Sequence, residues 1–133
     1  MADALDNPSL HEAYVEAGAN GATTAVQGRA LEDLICYVFT QVPGISITRR
    51  NEMNVFNTEE IDVALWNDGH PEGFFFLPNI ILVECKNWSH SVTSAEVSWF
   101  DTKLRNRGLG FGILVAASGI TSGITGAAED LTA

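Results

Sequence analysis

The sequence predicts an α/β domain in which a mixed central β-sheet is flanked by helices. Two patterns support this fold class. Four consecutive aliphatic residues, at 80–83, are typical of a strand that other elements cover on both faces. Apolar residues recur at helical spacing over 31–39, and again over 97–104 behind a capping box formed by Thr93 and Glu96. An inner strand with helices before and after it indicates an α/β fold.

Turn and breaker residues separate the predicted elements. Val-Pro-Gly at 42–44 ends the first helix, a turn-rich segment at 67–73 follows the second strand, and the glycines within 108–112 end the second helix. The resulting order is α-β-β-β-α-β. In chain order we expect a helix at 22–40, strands at 45–54, 59–66 and 79–86, a helix at 94–106, a strand at 111–117 and an amphipathic segment at 121–133.

The side chains of the second strand and of the loop after it have predicted positions. Alternation places Ile61, Val63 and Leu65 on one face of the strand and Asp62 on the other. The run Phe74–Phe76 is predicted to belong to the core, and a dimer contact is the alternative.

Length and composition indicate one folded domain. The chain has 133 residues, of which 46% are hydrophobic. We divide it into an acidic arm, residues 1–21, and a domain, residues 22–133, that is either a minimal variant or a fragment of a longer protein. No apolar stretch approaches the roughly 20 residues that cross a bilayer, and no secretion signal is visible. Cys36 and Cys85 are therefore expected to be reduced, buried thiols of a cytoplasmic protein.

The net charge of −10 limits what the domain can bind. Nucleic-acid phosphates are contacted by Lys and Arg, and the chain has only seven of these residues. We therefore expect weak binding of nucleic acid by the domain alone, with a partner domain or subunit supplying most of the affinity. Lys103, Arg105 and Arg107 are interpreted as cations at a helix end, with phosphate contact as the alternative.

Two acids and a lysine interrupt the apolar strands. Glu84 and Lys86 share one face of the inner strand, Cys85 points to the other, and Asp62 lies in another strand. A buried charge is costly unless it is paired or bound to a metal. Carboxylates suit Mg²⁺, which can activate water and stabilise charge on a phosphodiester.

These properties predict a metal site with a lysine beside it. Asp62, Glu84 and the Cys85 carbonyl are the predicted ligands, and Lys86 would orient the attacking water, assist its deprotonation or neutralise developing charge. The alternative is a structural salt bridge among Asp62, Glu84 and Lys86.

Glu32 is the fourth candidate acid. It lies one turn after Gly28 on the same side of the first helix, and the glycine leaves room for a close approach. A helix packed over the sheet could deliver Glu32 as a further metal ligand or as a water contact. The alternative is a solvated acid, because Glu32 adjoins Asp33 and has no Lys or Arg four residues away.

Three motifs occur in a characteristic order, namely Gly28-x-x-x-Glu32, Glu60-Ile61-Asp62 and Glu84-Cys85-Lys86-Asn87-Trp88. Together they resemble the PD-(D/E)XK restriction-endonuclease-like superfamily, most closely the Mrr-type restriction endonuclease catalytic domain. The resemblance covers about residues 22–120, and α-β-β-β-α-β is also the order of that family's core.

The resemblance implies a function for the domain. That function is metal-dependent hydrolysis of DNA phosphodiesters in restriction or anti-phage defence, with Mg²⁺, or Mn²⁺ in its place, and with dimerisation as the usual way to cut both strands. The resemblance also implies Asp62 and Glu84 as metal ligands, Lys86 as the catalytic lysine and Glu32 as the helix acid.

Two other functions stay open. A nuclease fold could serve as a non-catalytic interaction module in a larger assembly, which the acidity favours and the intact Asp62, Glu84 and Lys86 oppose. A structure-specific nuclease of the Holliday-junction type shares the motif. Junction binding, however, calls for a broad basic face that this chain lacks.

Overall fold

The fold is described from a computed structural model, which covers Glu12, residues 24–53 and residues 60–121. Within these ranges the order α-β-β-β-α-β is confirmed. The elements are helix α1 (Thr24–Thr40), strands β1 (Ile45–Met53), β2 (Glu60–Asn67) and β3 (Ile80–Lys86), helix α2 (Ser94–Asn106) and strand β4 (Gly112–Ala116). The predicted acidic arm, except for Glu12, and the predicted amphipathic segment after residue 121 lie outside the described residues.

The four strands form one mixed sheet in the order β1-β2-β3-β4. Strands β1, β2 and β3 follow one another as antiparallel neighbours, whereas β4 pairs with β3 in parallel. A parallel neighbour requires a crossover connection, and α2 lies in that connection. The predicted mixed sheet is therefore confirmed.

Helix α1 covers one face of the sheet. Its Cys36 is buried, and Ile35 and Phe39 pack beside it. The strand residues buried in this cluster are Ile45, Val63, Leu65, Ile81 and Val83. Residues at alternate positions of a strand share a face, so β2 and β3 each contribute two of them. The predicted burial is confirmed for Cys36, whereas Cys85 is only partly buried, and both cysteines are free.

Helix α2 covers the opposite face of the sheet. Its Phe100 and Leu104 pack on Ala64 and Leu82. The helix approaches β4 so closely that a Cβ at Gly112 would lie 2.8 Å from both Leu104 Cδ2 and Phe100 Cζ. Helices on both faces confirm the predicted architecture. Neither helix within the described ranges is long and apolar enough to cross a membrane.

The prediction that Ile61 shares a face with Val63 and Leu65 is wrong. Ile61 packs with the cluster on the α2 side of the sheet. Pairing with β3 fixes which face of the sheet each side chain of β2 occupies, and that pairing begins only at Val63. Ile61 pairs with Glu52 of β1, but Ile61 and Asp62 precede the part of β2 that pairs with β3, so the alternation seen from Val63 onwards does not extend to them.

Asn67 organises the loop between β2 and β3. Its fully buried side chain donates from Nδ2 to three loop carbonyls at 2.8–3.3 Å. Phe74 packs edge to face on Phe39 of α1, but Phe75 and Phe76 are 64% and 67% exposed. The prediction that this run belongs to the core is therefore wrong for two of its three rings, because the tight loop directs only one of them inward.

Candidate active site

Asp62 and Glu84 lie close together because β2 and β3 are antiparallel. Asp62 is near the start of β2, and Glu84 is near the end of β3. The Cys85 N–H donates to Asp62 Oδ2 at 3.0 Å. The two acids line one small cleft together with Phe100 and Lys103 of α2. The structure thus places side by side the two acids that the sequence predicts as metal ligands.

The environment of Asp62 disfavours its charge. Burial raises the pKa of this carboxyl, the Cys85 N–H lowers it, and the charges of Glu84 and Glu32 raise it again. Lys86 has a smaller, lowering effect, and the net direction is upward. A partly buried acid near two other acids is stabilised in its charged form by a bound cation.

Glu84 is 3% exposed and has cations on two sides. Lys103 of α2, itself buried, donates to Glu84 Oε1. Lys86 Nζ lies 3.8 Å from Glu84 Oε2, which is an ion-pair distance. Among the described residues, Oε2 has no hydrogen-bond partner. A buried carboxylate oxygen without such a partner is costly, and a cation bound there would offset the cost.

The residues that follow Lys86 help to position it. Lys86 Nζ lies 5.1 Å from the centroid of the Trp88 ring, within cation–π range. Trp88 in turn stacks on His90, with ring centroids 4.9 Å apart. Asn87 donates from Nδ2 to the Gln27 carbonyl at 2.8 Å and so joins the end of β3 to α1.

Glu32 lies on α1 and is 6% exposed, so the alternative of a solvated helix acid is wrong. Arg50 of β1 donates to Glu32 Oε1 from Nε at 3.2 Å and from Nη2 at 2.9 Å. The same Nη2 donates to Asp33 Oδ1 at 2.6 Å. Glu32 is also close enough to Asp62 to raise the pKa of that acid. It therefore borders the site with one carboxylate oxygen already bound to a cation.

The Cys85 thiol packs on the α1 side of the sheet, away from Glu84 and Lys86. Burial raises the pKa of this thiol to about 12, and the nearby Asp62 and Glu32 act in the same direction. A metal binds the thiolate form, so only the carbonyl of Cys85 is suited to be a ligand. Within the described part of the chain, no three His, Cys, Asp or Glu side chains are grouped closely enough to hold a metal ion.

Sequence reasoning missed two cations of this site. The interpretation of Lys103 as an ordinary helix-end cation is wrong, since its side chain is buried against Glu84. A signal was available, because Lys103 lies three residues after Phe100, on the apolar stripe of α2. Arg50 had no local signal, because its partners lie 17 and 18 residues earlier on another element.

The chain matches the family model described as Restriction endonuclease, that of the Mrr-type catalytic domain, over residues 23–132. The matched range contains every helix and strand described above. The chain belongs to the restriction endonuclease family. No curated protein and no solved structure matches it at a significant level.

Family membership confirms the resemblance drawn from the motifs. This restriction endonuclease domain is a nuclease domain, and DNA is the substrate that such a domain implies. Domains of this kind generally use divalent metal ions. The donor set fits such an ion, because Asp62 and Glu84 Oε2, which accepts no hydrogen bond from the described residues, offer the hard oxygen ligands that Mg²⁺ prefers.

Proposed function

We propose that this domain is a Mg²⁺-dependent endonuclease that hydrolyses phosphodiester bonds of DNA, and that Mn²⁺ can replace Mg²⁺. One observation carries the proposal. Asp62 and Glu84 meet beside Lys86, and the buried Glu84 Oε2 has no hydrogen-bond partner among the described residues. Acids placed in this way are stabilised by a divalent cation, which is also what phosphodiester hydrolysis requires.

Asp62, Glu84 through Oε2, and the carbonyl of Cys85 would hold the ion. The N–H and the carbonyl of one strand residue point to the same side, and the Cys85 N–H already meets Asp62. When bound, the ion supplies an activated water and offsets charge on the phosphoryl oxygens.

Lys86 would act on the attacking water and on the developing charge. Its ammonium is a compact cation placed between Glu84 Oε2 and the Trp88 ring. From there it can donate a hydrogen bond to the water and stabilise the negative charge that grows on the phosphate. Of the two roles predicted for Glu32, we propose the water contact, because Arg50 already binds its Oε1.

We further propose restriction or another form of anti-phage defence in the cytoplasm as the biological setting. The family and the two free thiols support it. Cutting both strands of DNA requires two sites, which a homodimer would provide. Attachment to a DNA-binding or sensor domain or subunit would add the affinity that a net charge of −10 opposes.

The test is incubation of the purified chain with plasmid and with single-stranded DNA in Mg²⁺ or Mn²⁺. Wild type should cut, and EDTA should stop the reaction. Asp62→Ala and Lys86→Ala should each lose at least about a hundredfold in rate, because each removes a contact to the ion or to the developing charge. Asp101→Ala removes an exposed acid from α2 and should cut like wild type.

A thermal titration with the same metals separates the alternatives. An ion that binds only the folded chain raises the melting temperature of wild type and not of Asp62→Ala. Stabilisation without cutting would show a metal site that lacks its DNA-binding or dimerising partner. If the metal ions neither stabilise the chain nor support cutting, the proposal is overturned in favour of the non-catalytic interaction module. Cutting confined to four-way junctions would favour the junction nuclease.

A further inference from the structure

Two cations of the chain are bound to acids that flank the site. Lys103 of α2 binds Glu84 Oε1, and both side chains are buried, with 10% and 4% exposure. Arg50 of β1 binds Glu32 Oε1 at 2.9 Å and Asp33 Oδ1 at 2.6 Å. Neither cation belongs to the motifs that identify the family.

Each of these cations takes up carboxylate oxygens that an additional metal ion would need. Separating a buried ammonium from a buried carboxylate is costly, so Lys103 is not displaced readily. A metal ion placed on Glu84 Oε1 or Glu32 Oε1 would also lie against the ammonium or guanidinium group already bound to that oxygen, in a medium that screens poorly. The oxygens that remain for a metal beside Lys86 are those of Asp62, Glu84 Oε2 and the Cys85 carbonyl.

We propose that the domain binds one divalent cation per chain, and that Lys103 and Arg50 occupy the positions at which a second cation would neutralise Glu84 and Glu32. This inference rests on the proposed metal-dependent function. It assigns Lys103 and Arg50 as positioning residues, because Lys103 acts on the ligand Glu84 and Arg50 acts on the water contact Glu32, and neither acts on the substrate.

The first test counts Mn²⁺ ions on the full chain by electron paramagnetic resonance and by calorimetry, without DNA. Wild type should bind one ion, and Asp62→Asn should bind none. Two ions of similar affinity on wild type would overturn the inference while leaving the proposed function intact. No ion on wild type would overturn the proposed metal dependence itself, so the two failures are distinguishable.

The second test measures Mn²⁺ affinity after each positioning cation is removed. Lys103→Met removes one of the two cations beside Glu84 and should bind the first ion at least about tenfold more tightly. Arg50→Met removes the guanidinium group from Glu32 Oε1 and Asp33 Oδ1 and should admit a second, weaker ion. Arg105→Met is the matched control, because it removes an exposed cation paired with Asp101, and its affinity and stoichiometry should equal those of wild type.

Equal affinity in Lys103→Met and Arg105→Met would overturn the role of Lys103, and a single ion on Arg50→Met would overturn the role of Arg50. Lys103→Met could lose its fold without metal because it removes one partner of a buried ion pair. In that case the number of ions bound by wild type and by Arg50→Met decides the inference. Arg50 is partly exposed, so its replacement disturbs the fold less.

Discussion

At the scale of single residues, Glu84 has two oxygens in different surroundings. Oε1 receives the buried Lys103 ammonium, and Oε2 has only an ion-pair contact with Lys86 at 3.8 Å. Oε1 thus holds the Glu84 carboxylate in place, while Oε2 accepts no hydrogen bond from the described residues. This asymmetry is what a ligand needs if it must be oriented before the ion arrives, because a preorganised ligand loses less conformational freedom on binding.

Asp62 leads to a prediction about pH. Burial raises the pKa of the Asp62 carboxyl. The contribution of this group to the free energy of unfolding is therefore present at low pH and is lost as pH rises through that raised pKa. Without metal, Asp62→Asn should therefore melt a few degrees above wild type at pH 7.5, and the difference should shrink towards pH 4. Thermal melts across this range, with Asp101→Asn as an exposed control, measure the effect. A difference that does not vary with pH would contradict it.

The residues of the site differ in how well a sequence reveals them. Asp62, Glu84 and Lys86 stand out because charges inside apolar strands demand an explanation. Their catalytic roles stay predictions until cleavage is measured. Lys103 was overlooked because lysines at a helix end are ordinarily solvated, and only the partner on β3 shows otherwise.

At the scale of elements, α1 contains a glycine that packing does not require. A Cβ at Gly28 would meet no atom within 4 Å. Gly28→Ala should therefore stabilise the fold by about 0.5–1 kcal/mol through helix propensity. If the room at Gly28 serves the approach of DNA, the same variant should cut at least about tenfold more slowly, since a small misplacement at a site is costly. Urea unfolding and plasmid cleavage measure both effects, and a more stable variant that cuts normally would exclude this use of Gly28.

The contact between α2 and β4 gives a second prediction at this scale. Gly112→Ala places a Cβ against Phe100 and Leu104 and should cost about 1–3 kcal/mol in the free energy of unfolding. Gly110→Ala is the matched control, because its Cβ would meet nothing within 4 Å, and its stability should not fall. Equal stability of the two variants in urea would show that the interface can relax around the added methyl group.

Element order and type were predictable because helical and strand periods are local properties of the chain. The long aliphatic run of β3 and the capping box before α2 are examples. The face of Ile61 was not predictable, because it depends on where pairing with β3 begins. The exposure of Phe75 and Phe76 likewise depends on the turn that Asn67 holds.

At the scale of the whole molecule, the distribution of charge limits DNA binding. Three of the seven basic residues, Arg50, Lys86 and Lys103, lie against carboxylates of the site. The other four are Arg29, Arg49, Arg105 and Arg107.

The salt dependence of DNA binding should reflect this small number of basic residues. Each phosphate contact contributes a slope of about −0.9 to the plot of log affinity against log salt concentration, so a single copy of the chain on the DNA should give a slope no steeper than about −4. Fluorescence anisotropy with a labelled duplex between 50 and 200 mM salt measures it. A steeper slope would mean that a second copy of the chain contributes contacts.

The crossover from β3 through α2 to β4 has a consequence for synthesis on the ribosome. A nascent chain that ends just after Lys86 has made Glu84 but not Lys103, and β3 still lacks its parallel neighbour. Pairing between distant segments comes late in folding, and domains fold as units once their chain has emerged. We therefore expect the acid, its counter-ion and the covered sheet to be completed together, after β4 has emerged from the ribosome.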